Sequence, residues 1–379
     1  MQVSIWEKET FYAPQDVIII GSGFVGLWSA FYLKKNNPRL KITIVERGII
    51  PTGASSRNAG FACFGSLSEI VADGRAMGTE KMLALVEMRY KGLERIQKHF
   101  KDSMIDFEMC GGYELYGNND KINAEELQYN IDYINSLLRP ITGTKRTYKL
   151  ADHSIENFGF GQTKHLVKNS LEGFLHSGKL LTALLQRVQG MGVQVFTSLE
   201  VNKIEKHDHH HAISFQNHPL LFKAHKLILC TNAFTKMLLP DIDIVPARGQ
   251  VILTSPIEGL PWKGSFHSDE GYYYFRNLGN RILLGGARNK AFEEEETLDM
   301  QTSEQIQLEL ENYLQKVILP GYKKGFAIES RWAGIMAMGS EKSPIVRNLG
   351  NDIFCAVRMS GMGVALAPVI GQQVAQMVD

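Results

Sequence analysis

Residues 16–30 constrain the fold of this chain more than any other stretch. They read DVIIIGSGFVGLWSA, a β-branched run followed by glycines in the pattern GxGxxG and then by helical spacing. A short β-branched run is typical of a buried parallel strand. Gly21 would make a tight turn, Gly23 would let the backbone approach a pyrophosphate, and Gly26 would let helix and strand pack closely. The segment predicts a strand–turn–helix unit whose helix N-terminus binds phosphate.

The next predicted strand, KITIVE, ends at Glu46, twenty residues after Gly26. In dinucleotide-binding folds a carboxylate at this distance hydrogen-bonds a ribose 2′-hydroxyl. The same carboxylate would repel the 2′-phosphate of NADP, which leaves NAD and FAD. A GxGxxG match alone is weak support for dinucleotide binding, but here the strand, the helix and the acidic residue all lie where a dinucleotide-binding unit has them.

The composition is that of an ordinary globular protein. The chain has 379 residues, of which 44% are hydrophobic, and this length allows two domains. Its 41 basic and 40 acidic residues leave a net charge of +1, so no nucleic acid partner is indicated. Four scattered cysteines suit a reducing compartment. No signal peptide and no transmembrane segment are evident, because apolar runs are far shorter than about 20 residues. A cytoplasmic protein is expected.

A polar, glycine-rich loop follows the second strand. Residues 46–66 read ERGIIPTGASSRNAGFACFGS. An NAD enzyme usually returns quickly to further strand–helix units, so this loop favours the longer cofactor, FAD. Together with GSGFVG and Glu46, PTGASSRNAG resembles the FAD-binding start of the D-amino acid oxidase superfamily. That superfamily includes glycine oxidase, sarcosine oxidase and γ-glutamylputrescine oxidase.

The resemblance continues along nearly the whole chain, in family order. The segments that carry it are VQVFTSLEVNKIE (193–205), KLILCTNAFTKMLLP (226–240), PARGQ (246–250), YYYFRNLGNRILLGGA (272–287), RWAGIMAMGSEKSPIV (331–346) and MSGMGVALAP (359–368). The loops TGASSRNAG, CTNAF and PARGQ look closest to the γ-glutamylputrescine oxidase branch. The resemblance implies oxidation of a C–H bond next to an amine nitrogen, with hydride delivered to the flavin.

The glycine motif and the resemblance together assign the FAD contacts. Val201 would contact adenine through its backbone, and a helix N-terminus at residues 361–363 would stabilise negative charge on the reduced flavin. The full predicted set is Gly21, Ser22, Gly23, Val25, Gly26, Glu46, Arg47, Gly53, Ala54, Ser55, Ser56, Arg57, Asn58, Ala59, Gly60, Val201, Thr231, Asn232, Ala233, Gly334, Gly361, Met362, Gly363 and Val364.

The predicted fold is α/β: a Rossmann-type FAD-binding domain with an inserted α+β substrate domain built on an antiparallel sheet. The FAD-binding domain is assigned residues 1–90, 155–240 and 328–379, and the substrate domain residues 91–154 and 241–327. Helices are predicted at residues 78–100, 180–190 and 305–317. Strands are predicted within residues 105–117 and 272–287, with turns at 111–112 and 279–280.

Three departures from the resembled family bear on the site. Sarcosine oxidases attach flavin to a cysteine where this chain has Gly334, so non-covalent FAD is predicted. Glycine oxidases bind the substrate carboxylate with two arginines, which are replaced here by Met336 and by residue 361 or 362. Sarcosine oxidases activate oxygen with a lysine that is replaced here by a leucine at 283 or 284. The electron acceptor is therefore left open between oxygen and another molecule.

Candidate substrate residues lie on the strand at residues 272–287. Tyr272, Tyr274 and Arg276 alternate on one face, which the resemblance places over the flavin, with Tyr272 at a substrate-binding tyrosine. Ordinary sheet packing is the alternative. Arg358, where many relatives have glycine, is a fourth candidate, with a structural salt bridge as its alternative.

For several other residues the sequence gives only a weak indication of a role. Arg57 and Arg248 are further polar candidates near the flavin, and Trp332 fits a core position as well as a pocket wall. The HDHHH run at residues 207–211 lies between two predicted strands, so a solvated turn is expected there rather than a metal site.

The sequence thus predicts an FAD-dependent amine or amino acid oxidoreductase, either an oxidase or a dehydrogenase. The C–N bond would be oxidised to an imine, which water then hydrolyses. No general base stands out, and desolvation can favour the neutral amine without one. One alternative is a 2-hydroxy acid or polyol phosphate dehydrogenase, and another is a non-catalytic flavin-binding protein.

Overall fold

A computed structural model describes residues 2–216 and 218–378 of the chain. Its strands are β1 Gln15–Ile20, β2 Ile42–Val45, β3 Phe61–Ala62, β4 Gly112–Gly117, β5 Tyr148–Leu150, β6 Thr163–Asn169, β7 Gly173–Phe174, β8 Gln194–Phe196, β9 Val201–Lys206, β10 His211–Phe215, β11 His218–Leu229, β12 Val245–Thr254, β13 Ser265–Ser268, β14 Tyr273–Leu278, β15 Arg281–Gly286, β16 Ile328–Met338, β17 Ile345–Asn348 and β18 Ile353–Val357.

The α-helices are α1 Ile5–Glu9, α2 Phe24–Asn36, α3 Ala54–Arg57, α4 Leu67–Met77, α5 Thr79–His99, α6 Asp102–Ile105, α7 Ala124–Thr142, α8 Ile155–Phe158, α9 Ser177–Gly190, α10 Glu304–Tyr313 and α11 Gly363–Val378. The three helices predicted from periodicity are confirmed as α5, α9 and α10, the last of which continues into a π-helical turn at Leu314–Ile318. Short 3₁₀ turns lie at Asp152–Ser154, Asn232–Met237, Asp269–Gly271 and Arg288–Lys290.

The chain forms two compact units. The first comprises residues 1–57, 177–247 and 335–379, and the second comprises residues 58–176 and 248–334. The predicted domain division places residues 58–90, 155–176, 241–247 and 328–334 differently. As an assignment of FAD-binding and substrate-binding roles, that division stays a prediction.

The first unit is built on the strand–turn–helix unit that the sequence indicates. β1 lies in the middle of the sheet order β17-β18-β11-β1-β2-β8 and pairs in parallel with β2 and with β11. Its apolar residues are buried because both neighbours and both sheet faces cover it. α2 packs against α11, where a side chain on Gly371 would overlap Trp28. A parallel sheet with helix crossovers is the predicted Rossmann-type arrangement.

Residues 207–210 of the histidine run occupy the predicted turn between β9 and β10, whereas His211 is buried and begins β10. His207 and Asp208 are exposed, and the rings of His207 and His210 stack with 5.0 Å between their centroids. Among the described residues, no group of three or more His, Cys, Asp or Glu side chains has the arrangement of a metal site.

The second unit is built on a mostly antiparallel sheet. Its strand order is β16-β12-β15-β14-β13-β4-β6-β5, and β13 and β4 form a parallel pair within it. One face carries the larger apolar core, in which Phe266 and Phe275 stack 4.8 Å apart and Leu310 of α10 packs above them. The other face carries a smaller cluster around Leu283 and Val251. The antiparallel sheet of the predicted α+β part is therefore confirmed.

Two local predictions are wrong. Residues 105–110 do not form a strand, because Asp102–Ile105 closes a helical turn and only Glu108 forms an isolated bridge, to Phe174. Tyr272 does not share the strand face of Tyr274, because Glu270 and Gly271 adopt left-handed conformations that delay the start of β14 to Tyr273.

Candidate functional site

The glycine turn after β1 leaves no room for side chains. Gly21 has φ +103°, and a Cβ on it would lie 2.7 Å from the carbonyl oxygen of Cys230 on the neighbouring strand. A Cβ on Gly26 would overlap the carbonyl oxygen of Gly21. Because both obstacles are backbone atoms, neither can move aside cheaply. The turn is therefore specific for glycine at these two positions.

The N-terminus of α2 faces a loop that also belongs to the first unit. Gly23 is the N-cap and provides no capping side chain, while the Phe24 amide donates to Oγ of Ser55 at 2.9 Å. The amides of Val25 and Gly26 belong to the first helical turn, where no intrahelical acceptor exists. This end of α2 therefore offers backbone donors and positive potential to a pyrophosphate.

Glu46 is fixed at the end of β2, next to the glycine turn. Its side chain is 8% exposed, and its Oε2 accepts from the Ser22 amide at 3.0 Å and from Ser22 Oγ at 2.8 Å. Its Oε1 accepts from the Gly48 amide at 3.0 Å. A carboxylate has about four acceptor positions, so three protein donors leave room for a ribose hydroxyl. The three hydrogen bonds orient the carboxylate and leave an acceptor position open.

The 231–233 segment follows the neighbouring strand β11. Oδ1 of Asn232 is buried, and no described residue donates a hydrogen bond to it. The Thr231 hydroxyl bonds to the Thr235 hydroxyl at 2.7 Å, and the Arg47 guanidinium lies 3.5 Å from the centroid of the Phe234 ring. β11, which Asn232 follows, is the strand next to β1 and its glycine turn. A buried acceptor without a donor at this place fits a nucleotide hydroxyl or amine.

The remaining predicted FAD residues fall in several local settings. Gly53, Ala54, Ser55, Ser56 and Arg57 lie in or just before α3, where Ser56 Oγ donates to the Pro51 carbonyl at 2.6 Å and Arg57 Nε to the Thr52 carbonyl at 3.0 Å. Val201 begins β9 and pairs with Phe215. Met362 and Gly361 precede α11, which begins with Gly363 and Val364. The second unit contains Asn58, Ala59, Gly60 and Gly334. Ala59 belongs to the smaller apolar cluster of that unit.

In the second unit, strand register places four polar side chains on one sheet face. Ser265 of β13 lies opposite Arg276 of β14, and His267 lies opposite Tyr274. Residues two apart on a strand point to the same side, so the four share a face. The sequence motifs did not indicate Ser265 or His267, although two polar residues alternate there with buried Phe266. We call these four residues the polar face.

Arg276 is the most unusual member of the polar face. It is 4% exposed, its guanidinium lies 4.6 Å from the ring centroid of Phe174, and no described residue accepts a hydrogen bond from its buried Nε. Burial lowers the pKa of Arg276 to about 10, so it is still a cation at neutral pH. Ser265 Oγ, opposite it, is also buried without a partner among the described residues. A buried cation beside a free hydroxyl is suited to binding an anion.

His267 and Tyr274 form an aromatic wall beside it with Phe61. The His267 ring lies 4.9 Å from the Phe61 ring, and the Tyr274 ring lies 5.9 Å from it. Burial lowers the pKa of His267 to about 4 and raises the pKa of Tyr274 to about 12, so both are neutral at pH 7. Nε2 of His267 has no partner among the described residues. The wall is uncharged and keeps one polar atom for a ligand.

The other candidate arginines are engaged by carboxylates. Arg248 forms a buried ion pair with Glu295, at 2.9 Å through Nε and at 2.7 Å through Nη2. Arg358 pairs with Asp243 and donates to the Ser343 carbonyl at 3.0 Å. For Arg358 the structure shows the salt-bridge alternative.

Tyr272 and Trp332 lie in different surroundings. Tyr272 packs against the larger core of the second unit and contacts Phe292 edge to face, 5.7 Å between centroids. Trp332 packs against the smaller cluster on the other sheet face, which contains Tyr274. Trp332 is therefore the better candidate for a pocket wall of the two.

The βαβ unit, its glycine turn and the carboxylate at the end of β2 define a dinucleotide-binding protein. The chain belongs to the FAD dependent oxidoreductase family, DAO, whose profile matches residues 16–377. Its cofactor is therefore FAD, and the glycine turn, Glu46 and the unpaired Asn232 fit that nucleotide. The structure contains no helix, among the described residues, that is long and apolar enough to cross a membrane.

Individual relatives agree with this family. The chain is 25% identical to the probable oxidoreductase OrdL of Haemophilus influenzae, over 96% of this chain and 82% of that protein. It is similar in fold to L-proline dehydrogenase from P. horikoshii, with TM-score 0.78 and 20% identity over 96% of this chain and 93% of that one. It is also similar to glycine oxidase from Geobacillus kaustophilus, with TM-score 0.76 and 19% identity over 96% and 94% of the two chains. Iminodiacetate oxidase from Chelativorans gives TM-score 0.75 and 18% identity over 96% and 95%.

Proposed function

We propose that the protein oxidises the C–N bond of an amine or amino acid, and that its substrate carries a carboxylate. The observation that carries the proposal is Arg276, a buried cation that forms no ion pair with a described residue and whose Nε has no hydrogen-bond acceptor among them; Glu108 and Asp106 act on it only electrostatically. Burying a charge without an ion pair is costly, so a bound carboxylate would offset the part of that cost that the Phe174 ring and the more distant carboxylates leave. The structural neighbours named for proline, glycine and iminodiacetate act on substrates with this chemistry.

The cofactor is held by residues of the first unit in this proposal. The α2 N-terminus at Gly23 binds the pyrophosphate, Glu46 accepts from the ribose hydroxyls, and Asn232 accepts a further hydrogen bond from the nucleotide. The four cysteines are spread over both units, and burial raises the pKa of Cys63, Cys110, Cys230 and Cys355. A buried, protonated thiol is a weak nucleophile, which supports non-covalent FAD.

The polar face supplies the substrate contacts. Arg276 and Ser265 would bind the carboxylate, and Nε2 of His267 would accept a hydrogen bond from the amine. Because His267 and Tyr274 are neutral and sit among apolar rings, the wall stabilises the neutral amine rather than the ammonium ion. FAD, when bound, accepts two electrons and one proton as hydride from the carbon next to nitrogen. The amine nitrogen loses a proton, and water converts the imine into a carbonyl compound and a free amine.

Anaerobic titration of the purified protein tests this proposal. The visible absorption of its flavin would be followed while amino acids, amines without a carboxylate and 2-hydroxy acids are added. We expect bleaching by carboxylate-bearing amines, weaker bleaching by amines without a carboxylate, and none by 2-hydroxy acids. Readmitting air then distinguishes an oxidase, whose absorption returns, from a dehydrogenase. Bleaching by 2-hydroxy acids alone would overturn the proposal in favour of a hydroxy acid dehydrogenase. A flavin that only dithionite reduces would favour a binding protein.

A further inference from the structure

One row of residues crosses the sheet of the second unit from Arg276 to a buried carboxyl. Arg276 of β14 lies opposite Ser265 of β13, and Ser265 lies opposite Gly112 of β4. Paired residues of neighbouring strands point to the same sheet face, and neighbouring strands lie about 4.8 Å apart. A Cβ on Gly112 would lie 2.3 Å from Oε2 of Glu172. Glu172 therefore fills the place that a side chain at position 112 would take, one strand away from Ser265.

The protein holds the carboxyl of Glu172 by one of its two oxygens. Glu172 is 1% exposed, and the amides of Phe64 and Gly65 both donate to its Oε1. Oε2 is the oxygen that stands over Gly112, on the sheet face that carries Ser265. A protonated carboxyl has one O–H donor. Because Oε1 already accepts from two amides, the proton of Glu172 belongs on Oε2.

Ser265 stands between Arg276 and Glu172 in this row. It is fully buried, and its Oγ has no hydrogen-bonding partner among the described residues. A serine hydroxyl has one O–H donor and two acceptor lone pairs, and it rotates among three staggered positions. It can therefore accept from a protonated Glu172 and donate to a carboxylate bound at Arg276 at the same time. An ionised Glu172 would instead accept the hydroxyl proton itself.

The surroundings of Glu172 determine when it carries a proton. The titratable and charged groups around it are Cys63, Glu69 of α4, Arg89 of α5, Glu114 of β4 and Tyr148 of β5. Burial, with the charges of Glu69 and Glu114 adding to it, raises the pKa of Glu172 to about 8. Burial also raises the pKa of Cys63 and of Tyr148 well above their ordinary values, so both stay neutral. Glu172 therefore loses its proton between neutral and mildly alkaline pH.

We propose that Glu172 is a positioning residue for the carboxylate of the substrate and acts through the Ser265 hydroxyl. Protonated Glu172 donates from Oε2 to Ser265 Oγ, and this directs the hydroxyl proton toward the carboxylate at Arg276. Ionised Glu172 takes the hydroxyl proton for itself and repels that carboxylate. The inference rests on the proposed function, and it adds that the site binds carboxylates tightly while Glu172 is protonated.

Calorimetric titration of the FAD-loaded wild type with acetate, at fixed pH values from 6 to 9, tests the inference. Acetate has no amine and keeps its charge over this range, so a pH dependence of its Kd comes from the protein. Kd is expected to change little from pH 6 to 7 and to be about tenfold larger at pH 9, because the protonated fraction of Glu172 falls to about a tenth. The same Kd at pH 6 and at pH 9 would overturn the inference, and this measurement requires no variant to fold.

Glu172→Gln is the matched variant. Its amide oxygen can accept from the two backbone amides, and its NH₂ group then takes the place of Oε2 and remains a donor at every pH. We expect its Kd for acetate to be independent of pH and close to that of the wild type at pH 7. A Glu172→Gln variant with the pH dependence of the wild type would assign that dependence to another group and contradict the inference.

Two further variants separate the hydroxyl from the neighbouring charges. Glu114→Gln is the control, because Glu114 acts on Glu172 only as a nearby charge. Its Kd should still rise with pH, with the midpoint moved to lower pH, since the Glu114 charge raises the pKa of Glu172. Ser265→Ala should bind acetate weakly at every pH and with a smaller pH dependence. A Ser265→Ala variant that binds acetate as the wild type does would exclude the hydroxyl as the link.

Reduction of the flavin distinguishes failure of this inference from failure of the proposed function. If carboxylate-bearing amines bleach the flavin while the Kd for acetate does not change with pH, the role of Glu172 is wrong and the proposed function stands. If acetate binds with the expected pH dependence but no amine or amino acid reduces the flavin, the carboxylate site stands and the proposed oxidation fails. Absence of acetate binding at every pH would refute both the carboxylate site and the role of Glu172.

Discussion

The ring of Tyr274 lies directly on Gly285, its partner across the β14–β15 hairpin. A Cβ on Gly285 would lie 2.5 Å from Cε2 of that ring and 2.7 Å from its hydroxyl oxygen. Gly285 therefore determines where the aromatic wall of the polar face stands. A side chain at position 285 must therefore move the ring.

Gly285→Ala is thus expected to displace Tyr274 and to lower kcat/KM for the amine that reduces the flavin by about 10- to 100-fold, since a shift of about 1 Å has effects of this size. FAD content should be unchanged, because the nucleotide contacts proposed for Gly23, Glu46 and Asn232 lie in the first unit. The control is Gly74→Ala on α4, where the added methyl meets only Met82 at 3.8 Å. Full activity in Gly285→Ala would show that the ring position is unimportant.

Gly23→Val is expected to abolish FAD binding. A Cβ at this position would lie 2.9 Å from Ser55 Oγ, and the larger side chain would block the approach of a pyrophosphate to the N-terminus of α2. The ratio of flavin to protein absorption after gel filtration measures the loss. Gly190→Ala at the end of α9, with no atom within 4 Å of the added methyl, should retain flavin. Normal occupancy in Gly23→Val would overturn the assignment of the pyrophosphate site.

Arg276→Met should change the stability and the activity of the protein in opposite directions. Removing a buried cation that has no ion-pair partner among the described residues is expected to raise the thermal unfolding temperature, whereas kcat/KM for carboxylate-bearing amines should fall by about 10- to 150-fold. Arg276→Lys, which keeps the charge, should recover part of the activity. Thermal unfolding and steady-state kinetics on the same preparations check both effects. A variant that is less stable than the wild type would indicate that Arg276 has a structural partner after all.

Arg248→Met is expected to behave in the opposite way. Arg248 is 7% exposed and paired with Glu295, so its loss leaves a carboxylate buried without its cation. Breaking such a pair costs about 3–5 kcal/mol in the free energy of unfolding. The second substitution Glu295→Leu should restore much of that loss, because it removes the stranded charge. Urea denaturation of the single and double variants measures the difference, and an unaltered single variant would contradict the ion pair.

Glu172 gives the second unit a pH-dependent stability. The carboxyl is buried and accepts from the amides of Phe64 at 2.8 Å and Gly65 at 3.2 Å. Desolvation nevertheless raises its pKa from 4.5 to about 8, with the charges of Glu69 and Glu114 adding to the effect. The folded protein therefore holds this proton more tightly than the unfolded chain. Its contribution is fully present below pH 4.5 and is lost as the pH rises through about 8.

The consequence is a decline in stability of up to about 1.4 kcal/mol per pH unit across that window. Glu172→Gln, which is neutral at every pH, should remove this part of the slope. Thermal unfolding of both proteins at pH 5, 6, 7 and 8 is the measurement, and the midpoint of the wild type should fall relative to that of Glu172→Gln as the pH rises. Parallel curves would mean that a group other than Glu172 causes the pH dependence of the stability.

The parts of the fold and site that the sequence predicted share one property: they depend on neighbours in the chain. The β1 strand, the glycine turn and α2 are contiguous, and the hydrogen bond from Ser22 to Glu46 spans 24 residues within one βαβ unit. The helices α5 and α9 follow from periodicity alone. Tyr272 was misplaced because left-handed backbone at Glu270 and Gly271 shifts the start of the strand, and a left-handed Glu270 has no sequence signal.

What the sequence determined by itself was the nucleotide-binding unit and the family, because glycine spacing and an acidic residue at the end of β2 are local requirements of close packing. Only the tertiary structure decided which arginines are free. Arg248 pairs with Glu295, 47 residues away, and Arg358 pairs with Asp243, 115 residues away, while Arg276 forms no ion pair with any residue that the structure describes. Ion pairing of this kind depends on sheet register and on turns that bring distant strands together. The sequence motifs also missed His267, because its position opposite Tyr274 on the polar face depends on how β13 and β14 pair. No single segment of the sequence encodes that pairing.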